Sequence, residues 1–275
     1  MKQIKIIEAD SKNDKYWKEV WEYKELFFIL SWRDIKVRYK QTVLGILWSI
    51  IRPLITLVAF TIVFNNIAKL EPSGNYPYAV MVLAGLLPWQ FFSTAFSSAS
   101  ESLITNSALL TKVFFPRIII PASSIVTGFI DFLVSIILLL ILFIYYNFLP
   151  DWKIIFLPFF TFLIFIPTLS FGLFFASLNV KYRDFRYILP FIIQVGLYIT
   201  PVGFDSSIVI NKWKFLFYLN PLVPIIDGFR WCILGDSNFN PFNFYGLFSL
   251  VCNFLFLLIA IKIYRTTEKS FADLI

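Results

Sequence analysis

Arg33, Lys36, Arg38 and Lys40 place four positive charges within eight residues, beside Tyr39. A fifth, Arg52, precedes Pro53 near the start of an apolar stretch over residues 44–68. Side chains that stay protonated at neutral pH do not relay protons; they bind anions. At the edge of an apolar stretch the anion is a lipid headgroup, and a cluster of this density suits a phosphate or pyrophosphate. Each basic residue near an anionic surface gains about 1 kcal/mol. The same cluster would therefore also serve as a plain anchor, with Arg52 snorkelling to the inner interface.

Other chemistries find little support. Histidine is absent, which removes imidazole acid–base catalysis, Ser-His triads and His metal sites. No Gly-rich loop precedes a Lys-Ser or Lys-Thr pair, so the chain has no P-loop for ATP phosphates. Cys232 and Cys252 lie in apolar settings without metal-like spacing and read as small core hydrophobes. Asp131 stands inside an apolar run. A proton relay needs several intramembrane acids, so Asp131 reads as a buried, hydrogen-bonded carboxylate. Asp227 and Arg230 are spaced i, i+3 and could pair on one helical face, as a latch or as a structural pair.

These residues must be positioned by membrane helices. The chain is 59% hydrophobic and 20% aromatic, with 34 Phe, which calls for a bilayer as solvent. The first 25 residues are charged and lack the apolar core of a signal peptide, so the N-terminus is expected in the cytoplasm. Residues 1–22 read as a polar arm and 23–43 as an amphipathic interfacial helix. A permease-like body over 44–264 reads as six spans: 44–68, 78–99, 118–146, 154–178, the short 187–201, and 242–264. Residues 265–275 form a tail. The link at 100–117 has room for a short helix and a bend before Pro116. Within it, Asn106, Leu109, Leu110 and Lys112 could dock into a groove on a soluble partner.

The segment 215–234 has the length of a span, but Asn220, Pro221, Pro224, Asp227 and Arg230 interrupt it. Charge decides the reading. Without it as a span, eleven Lys/Arg up to Arg52, two in the 100–117 link, three after the fourth span and three near the end put 19 cations inside and five outside. That obeys the positive-inside rule, with both termini cytoplasmic. Residues 204–240 are then a broken, re-entrant element entering from the outer face. The same rule explains the net charge of +7 as topology rather than nucleic-acid binding. Phe60, Phe64, Trp89 and Tyr198 could offer sugars stacking faces along a channel, or simply meet lipid and neighbouring helices.

Five segments together resemble a known family: RDIKVRYKQTVLGILWSIIRPL (33–54), LLTKVFFPRIIIP (109–121), NVKYRDFRYILPFIIQ (179–194), TPVGF (200–204) and LNPLVPIIDGFRWCILG (219–235). In this order they are similar to the membrane subunits of ABC exporters for lipid-linked surface polysaccharides, the O-antigen (Wzm-type) permeases of the type-2 superfamily. The resemblance runs from about residue 19 to residue 264; the first 18 residues have no counterpart. It implies an inner-membrane homodimeric channel rather than an enzyme. The channel would pair with two copies of a separate ATPase subunit, which binds the ATP and magnesium this chain does not. The cargo would be a glycan on undecaprenyl diphosphate. The resemblance also implies a coupling helix in the 100–117 link. It further implies an outer gate after the fifth span, to which Pro201, Gly203, Asn220, Pro221, Asp227 and Arg230 belong. Capsule and teichoic-acid exporters share these motifs, and a membrane enzyme acting on lipid-linked sugars is the reading from another class.

Overall fold

The computed structural model describes residues 13–40, 45–69, 74–182, 184–269 and 271, with side chains from residue 16 onward. Most of the expected N-terminal arm, the start of the 71–77 loop, Arg183 and most of the last few residues of the tail lie outside the described residues. Every regular element among those described is helical. In order they are α1 (Asn13–Glu22), α2 (Lys24–Lys40), α3 (Trp48–Phe60), α4 (Tyr78–Thr105), α5 (Ser107–Lys112), α6 (Ile119–Tyr145), α7 (Leu157–Leu163), α8 (Phe165–Lys181), α9 (Phe185–Ile199), α10 (Asn211–Phe217), α11 (Val223–Leu234) and α12 (Phe244–Glu268). Short tight or wide helical turns fill several of the joins.

α4 is the axis of the fold. It is apolar nearly all round and buried along most of its length, packed against α6, α8, α11, α3 and α9. A helix without a polar face needs neighbours on every side. Small residues let them approach closely: Gly128 of α6 meets Ala95, and Gly172 of α8 meets Ala99. Between the crossings, phenylalanines interlock edge to face and stacked, as in Phe91 with Phe129, Phe132 and Phe165, and Phe96 with Phe171 and Phe175.

Five helical stretches are long and apolar enough to cross a membrane: Gly45–Ile67, Tyr78–Thr105, Ile119–Tyr145, Trp152–Lys181 and Ser237–Glu268. α9, expected as a short fifth span, is 15 residues, about 22 Å at 1.5 Å per residue, and falls below the ~30 Å of a hydrocarbon core. The second span runs on as helix to Thr105, beyond the expected end at residue 99. The fourth is broken at Ile164 between α7 and α8. The 215–234 segment is two short helices, α10 and α11, parted by a turn at Asn220 and Pro221. Asn220 holds that turn: its side-chain oxygen accepts from Leu222 N–H at 3.0 Å, and its amide donates to Thr200 Oγ1 at 2.8 Å. α11 ends on Gly235 with φ +72°, the left-handed terminus that glycine adopts without strain.

α2 corrects one expectation. Its apolar and basic side chains are not sorted onto opposite faces. Ile29, Trp32 and Val37 share an outward groove with Arg33, Lys36 and Lys40. The opposite side, through Leu30, Ser31 and Arg38, is occupied by contacts with the protein, chiefly α6. α1 is the sided helix: Tyr16 and Val20 pack inward while charged residues fill the far side. Backbone bonds from Tyr23 N–H to Glu19 O and from Phe27 N–H to Tyr23 O carry the helical path from α1 into α2.

Candidate functional site

The α2–α3 junction builds a polar site against α6. Pro53 sits in the second turn of α3 and has no N–H, so the carbonyl four residues back, on Ser49, has no helical donor. Ser135 of α6 fills that place: its hydroxyl donates to Ser49 O at 2.6 Å. Ser49 in turn directs its own hydroxyl to Asp131, one turn before Ser135 on the same face of α6. Tyr39 OH donates to the same Asp131 oxygen at 2.6 Å, and Arg38 Nη2 lies 2.5 Å from the other. Burial, then the hydrogen bond and charge of Asp131, push the Tyr39 phenol up to about 12, so it stays protonated and donating. Asp131 is thus the hydrogen-bonded carboxylate that its isolation in an apolar run required.

These groups line a partly open cavity of about 150 Å³. Arg52, Gln90 and Thr94 complete its polar wall; Trp48, Leu87, Phe91 and Phe132 supply apolar wall. At ~30 Å³ per water the space suits a group of phosphate size, not a sugar chain. Arg52 is exposed, and no described carboxylate lies within ion-pair distance of it.

The five cations of the sequence cluster therefore divide. Arg38 and Arg52 face the cavity. Lys36 and Lys40 line the outward groove of α2, with Lys36 over the Trp32 ring at 5.3 Å. Arg33 also borders that groove but bonds elsewhere: it pairs with Asp34 and donates to Asn106 Oδ1, both at 2.7 Å. Asn106 ends α4 and begins α5, so Arg33 ties α2 to the 100–117 link.

In that link the expected short helix is α5. Leu110 is buried with Phe115 and Ile118, so it fastens α5 to the protein and offers nothing to a partner, contrary to its expected docking role. Leu109 is half-buried. The outward surface is Lys112 with Val113 and Phe114, which the leucine pattern did not single out. Behind it, Glu268 of α12 accepts from Arg117 N–H at 2.7 Å and from Tyr16 OH at 2.9 Å, clasping α1, the link and α12 together.

At the opposite end, Asp227 and Arg230 share α11 but do not form the expected ion pair. Arg230, fully buried, donates to the carbonyls of Met81, Val202 and Phe204. Asp227 accepts from Tyr218 OH at 3.0 Å. Three unpaired carbonyls in apolar surroundings draw a guanidinium more strongly than one carboxylate a turn away. Pro201 and Gly203 are buried in the same loop, Gly203 with its carbonyl on Tyr78 OH at 2.6 Å. Pro221 offers its carbonyl to the Asn253 amide.

The four aromatics separate likewise. Phe60 packs on Gly203 and Trp89 on Gly196, both buried within the chain, so neither presents a free face for a sugar here. Phe64 is half-buried beside Phe60; Tyr198 is 64% exposed. Ser49, Gln90, Thr94 and Ser135 escaped sequence reasoning. The usable signal was Pro53, which orphans the Ser49 carbonyl, with Asp131 and Ser135 spaced i, i+4.

Comparison with known proteins agrees with this architecture. The family described as ABC-2 type transporter matches residues 25–234, leaving α1 ahead of the matched span. The chain is 28% identical over 215 residues to the O-antigen export system permease protein RfbA of Myxococcus xanthus, covering 78% of this chain and 82% of that one. It is 25% identical over 253 residues to the protein of the same name from Klebsiella pneumoniae, covering 91% and 95%. With the polysialic acid transport protein KpsM of Escherichia coli it shares 26% identity over 243 residues, covering 86% and 92%. With most of its length matched, from the α2 cation cluster through the end of α11, the chain belongs to the ABC-2 type transporter family of permease subunits.

Proposed function

We propose that the chain is the membrane-channel subunit of an ATP-driven exporter that carries undecaprenyl-diphosphate-linked O-antigen polysaccharide across the bacterial inner membrane. The observation that carries this reading is the cavity at the α2–α3 junction, where an ABC-2 permease presents Arg38 and Arg52 at the scale of a phosphate group. In this reading α9 is a sixth, short span, α10 and α11 form a re-entrant outer gate, and both termini are cytoplasmic. Two copies form the channel. Two ATPase subunits dock on the surface of Lys112, Val113 and Phe114 and hydrolyse the ATP. The lipid tail stays in the bilayer, the pyrophosphate meets Arg38 and Arg52, and the glycan threads between the copies past rings such as Tyr198. Similarity to the polysialic acid transport protein favours capsular polysaccharide as the alternative cargo.

Depletion of the protein in its native host tests this. The expected result is lipid-linked glycan trapped at the inner membrane while surface polysaccharide disappears, and mass analysis of the trapped polymer separates O-antigen from capsule. Loss of both pools would instead assign the chain to synthesis. For the headgroup, Arg38→Gln with Arg52→Gln should cut surface polysaccharide at least tenfold, since a hydrogen bond to a charged group contributes about 1.5–3 kcal/mol. Co-purification of the ATPase subunit should be unchanged. Wild-type export from the double variant would remove the headgroup role.

A further inference from the structure

We infer that Asp131 is a built-in competitor for the incoming headgroup: it holds Arg38 against α6 while the cavity is empty, and a diphosphate draws Arg38 away and loosens α2 from α6. The inference rests on the headgroup reading above.

Three observations carry it. First, the two cavity arginines are unlike. Arg38 sits on a carboxylate at 2.5 Å, whereas Arg52, on the same wall, has no described carboxylate within ion-pair distance. An anion entering the cavity therefore meets Arg52 first. Second, Asp131 is not a lone ion partner. It gathers Arg38 and Tyr39 from α2 and Ser49 from α3 onto one side chain of α6. Losing Arg38 to an anion therefore unbalances the only described carboxylate that joins these three helices. Third, α2 is tied at its other end to the start of α5 through Arg33 and Asn106. Arg33 and Arg38 are five residues apart, about 7.5 Å along the axis. A change at Arg38 is thus carried on one rigid helix to the link on which an ATPase would dock.

The energetics follow from charge. A diphosphate carries more negative charge than a carboxylate and offers several oxygens to the five N–H donors of a guanidinium. Asp131 opposes it twice, by occupying Arg38 and by repelling the anion. Removing that negative charge while keeping the shape should therefore tighten anion binding. A merely structural role predicts the reverse, because an uncharged side chain holds Arg38 and the junction less firmly.

The test uses the full chain in nanodiscs with farnesyl diphosphate, a soluble isoprenoid diphosphate, and inorganic pyrophosphate and farnesol as controls. Asp131→Asn should bind farnesyl diphosphate on the order of tenfold more tightly than wild type. Adding Arg38→Gln should abolish that gain. Unchanged or weaker binding by Asp131→Asn, with wild-type binding still dependent on Arg38 and Arg52, overturns this inference and leaves the headgroup reading standing. Failure of the wild-type chain to bind farnesyl diphosphate, or binding insensitive to both arginines, overturns both. Equal affinity for inorganic pyrophosphate would assign the site to free phosphates and overturn both readings as well. Should Asp131→Asn not fold, nitroxides at the exposed positions Val37 and Leu133, in a chain lacking Cys232 and Cys252, decide the matter. A changed separation on adding farnesyl diphosphate supports the inference; an unchanged one overturns it.

Discussion

Arg230→Ala should leave little folded permease in the membrane, with stability reduced by about 3–5 kcal/mol, the cost of breaking a buried charged network on one side. Arg230 is 0% exposed. Its guanidinium spans three carbonyls from two distant parts of the chain: Met81 in α4 at 3.3 Å, and Val202 and Phe204 in the loop after α9 at 2.9 Å each. It also lies over the Phe239 ring at 5.4 Å, and Gly85 leaves room for it on α4, where a Cβ would come within 3.1 Å of Nη2. Truncation removes every one of those bonds and leaves the carbonyls facing a void that apolar neighbours cannot satisfy. Asp227, within its field, loses its nearest positive charge. Lysine keeps the charge but presents one point of donation where three carbonyls diverge, so Arg230→Lys should fall between. The check is thermal unfolding of the purified permease by size-exclusion fluorescence, with the solvent-exposed Arg52→Ala as the comparison. A melting temperature for Arg230→Ala close to that of Arg52→Ala would sink the clamp.

Arg230 also shows where sequence reading stops. Counted by topology, it belongs to the outer-face cations. In the fold it is the most deeply enclosed charge, because its partners are backbone carbonyls that no residue pattern advertises. The long spans were legible, since apolar runs of bilayer length have few alternatives, and so was the break at Asn220 and Pro221. The α2–α3 junction was half legible. Arg52 and Pro53 marked it, and the lone Asp131 announced that it needed donors, but which donors depended on the packing of α2, α3 and α6. Leu110 was misassigned for the same reason: a leucine on a short helix faces either partner or protein, and only the neighbours Phe115 and Ile118 decide. α2 misled because an interfacial helix is expected to sort its faces. Here one face is spent on the protein, which leaves lipid-seeking and basic side chains to share the other.

Gly128→Leu should abolish export and lower stability by at least ~1–3 kcal/mol, the usual cost of overpacking. Gly128 lies where α6 crosses α4. A Cβ there would stand 3.0 Å from the Ala95 Cβ, 3.3 Å from its Cα and 3.4 Å from its N. Two of those atoms are backbone, so no rotamer relieves the contact and the helices must part. Close approach of small residues is what associates helices in a bilayer, where apolar burial alone gives no preference for protein over lipid. Gly203 provides the contrast. A Cβ there meets only the rings of Phe60 and Phe64, which can turn aside, so Gly203→Ala should be milder. Gly128 also lines the cavity, one turn before Asp131. Parting α6 from α4 would carry Asp131 away from Gln90 and Thr94 and widen the wall that faces the anion. Gly128→Ala, which asks α4 to yield by only a few tenths of an ångström, separates the two consequences. It should fold and still lose part of its affinity for farnesyl diphosphate. Normal export and an unshifted melting temperature in Gly128→Leu would show that the α4–α6 crossing has slack that this geometry denies.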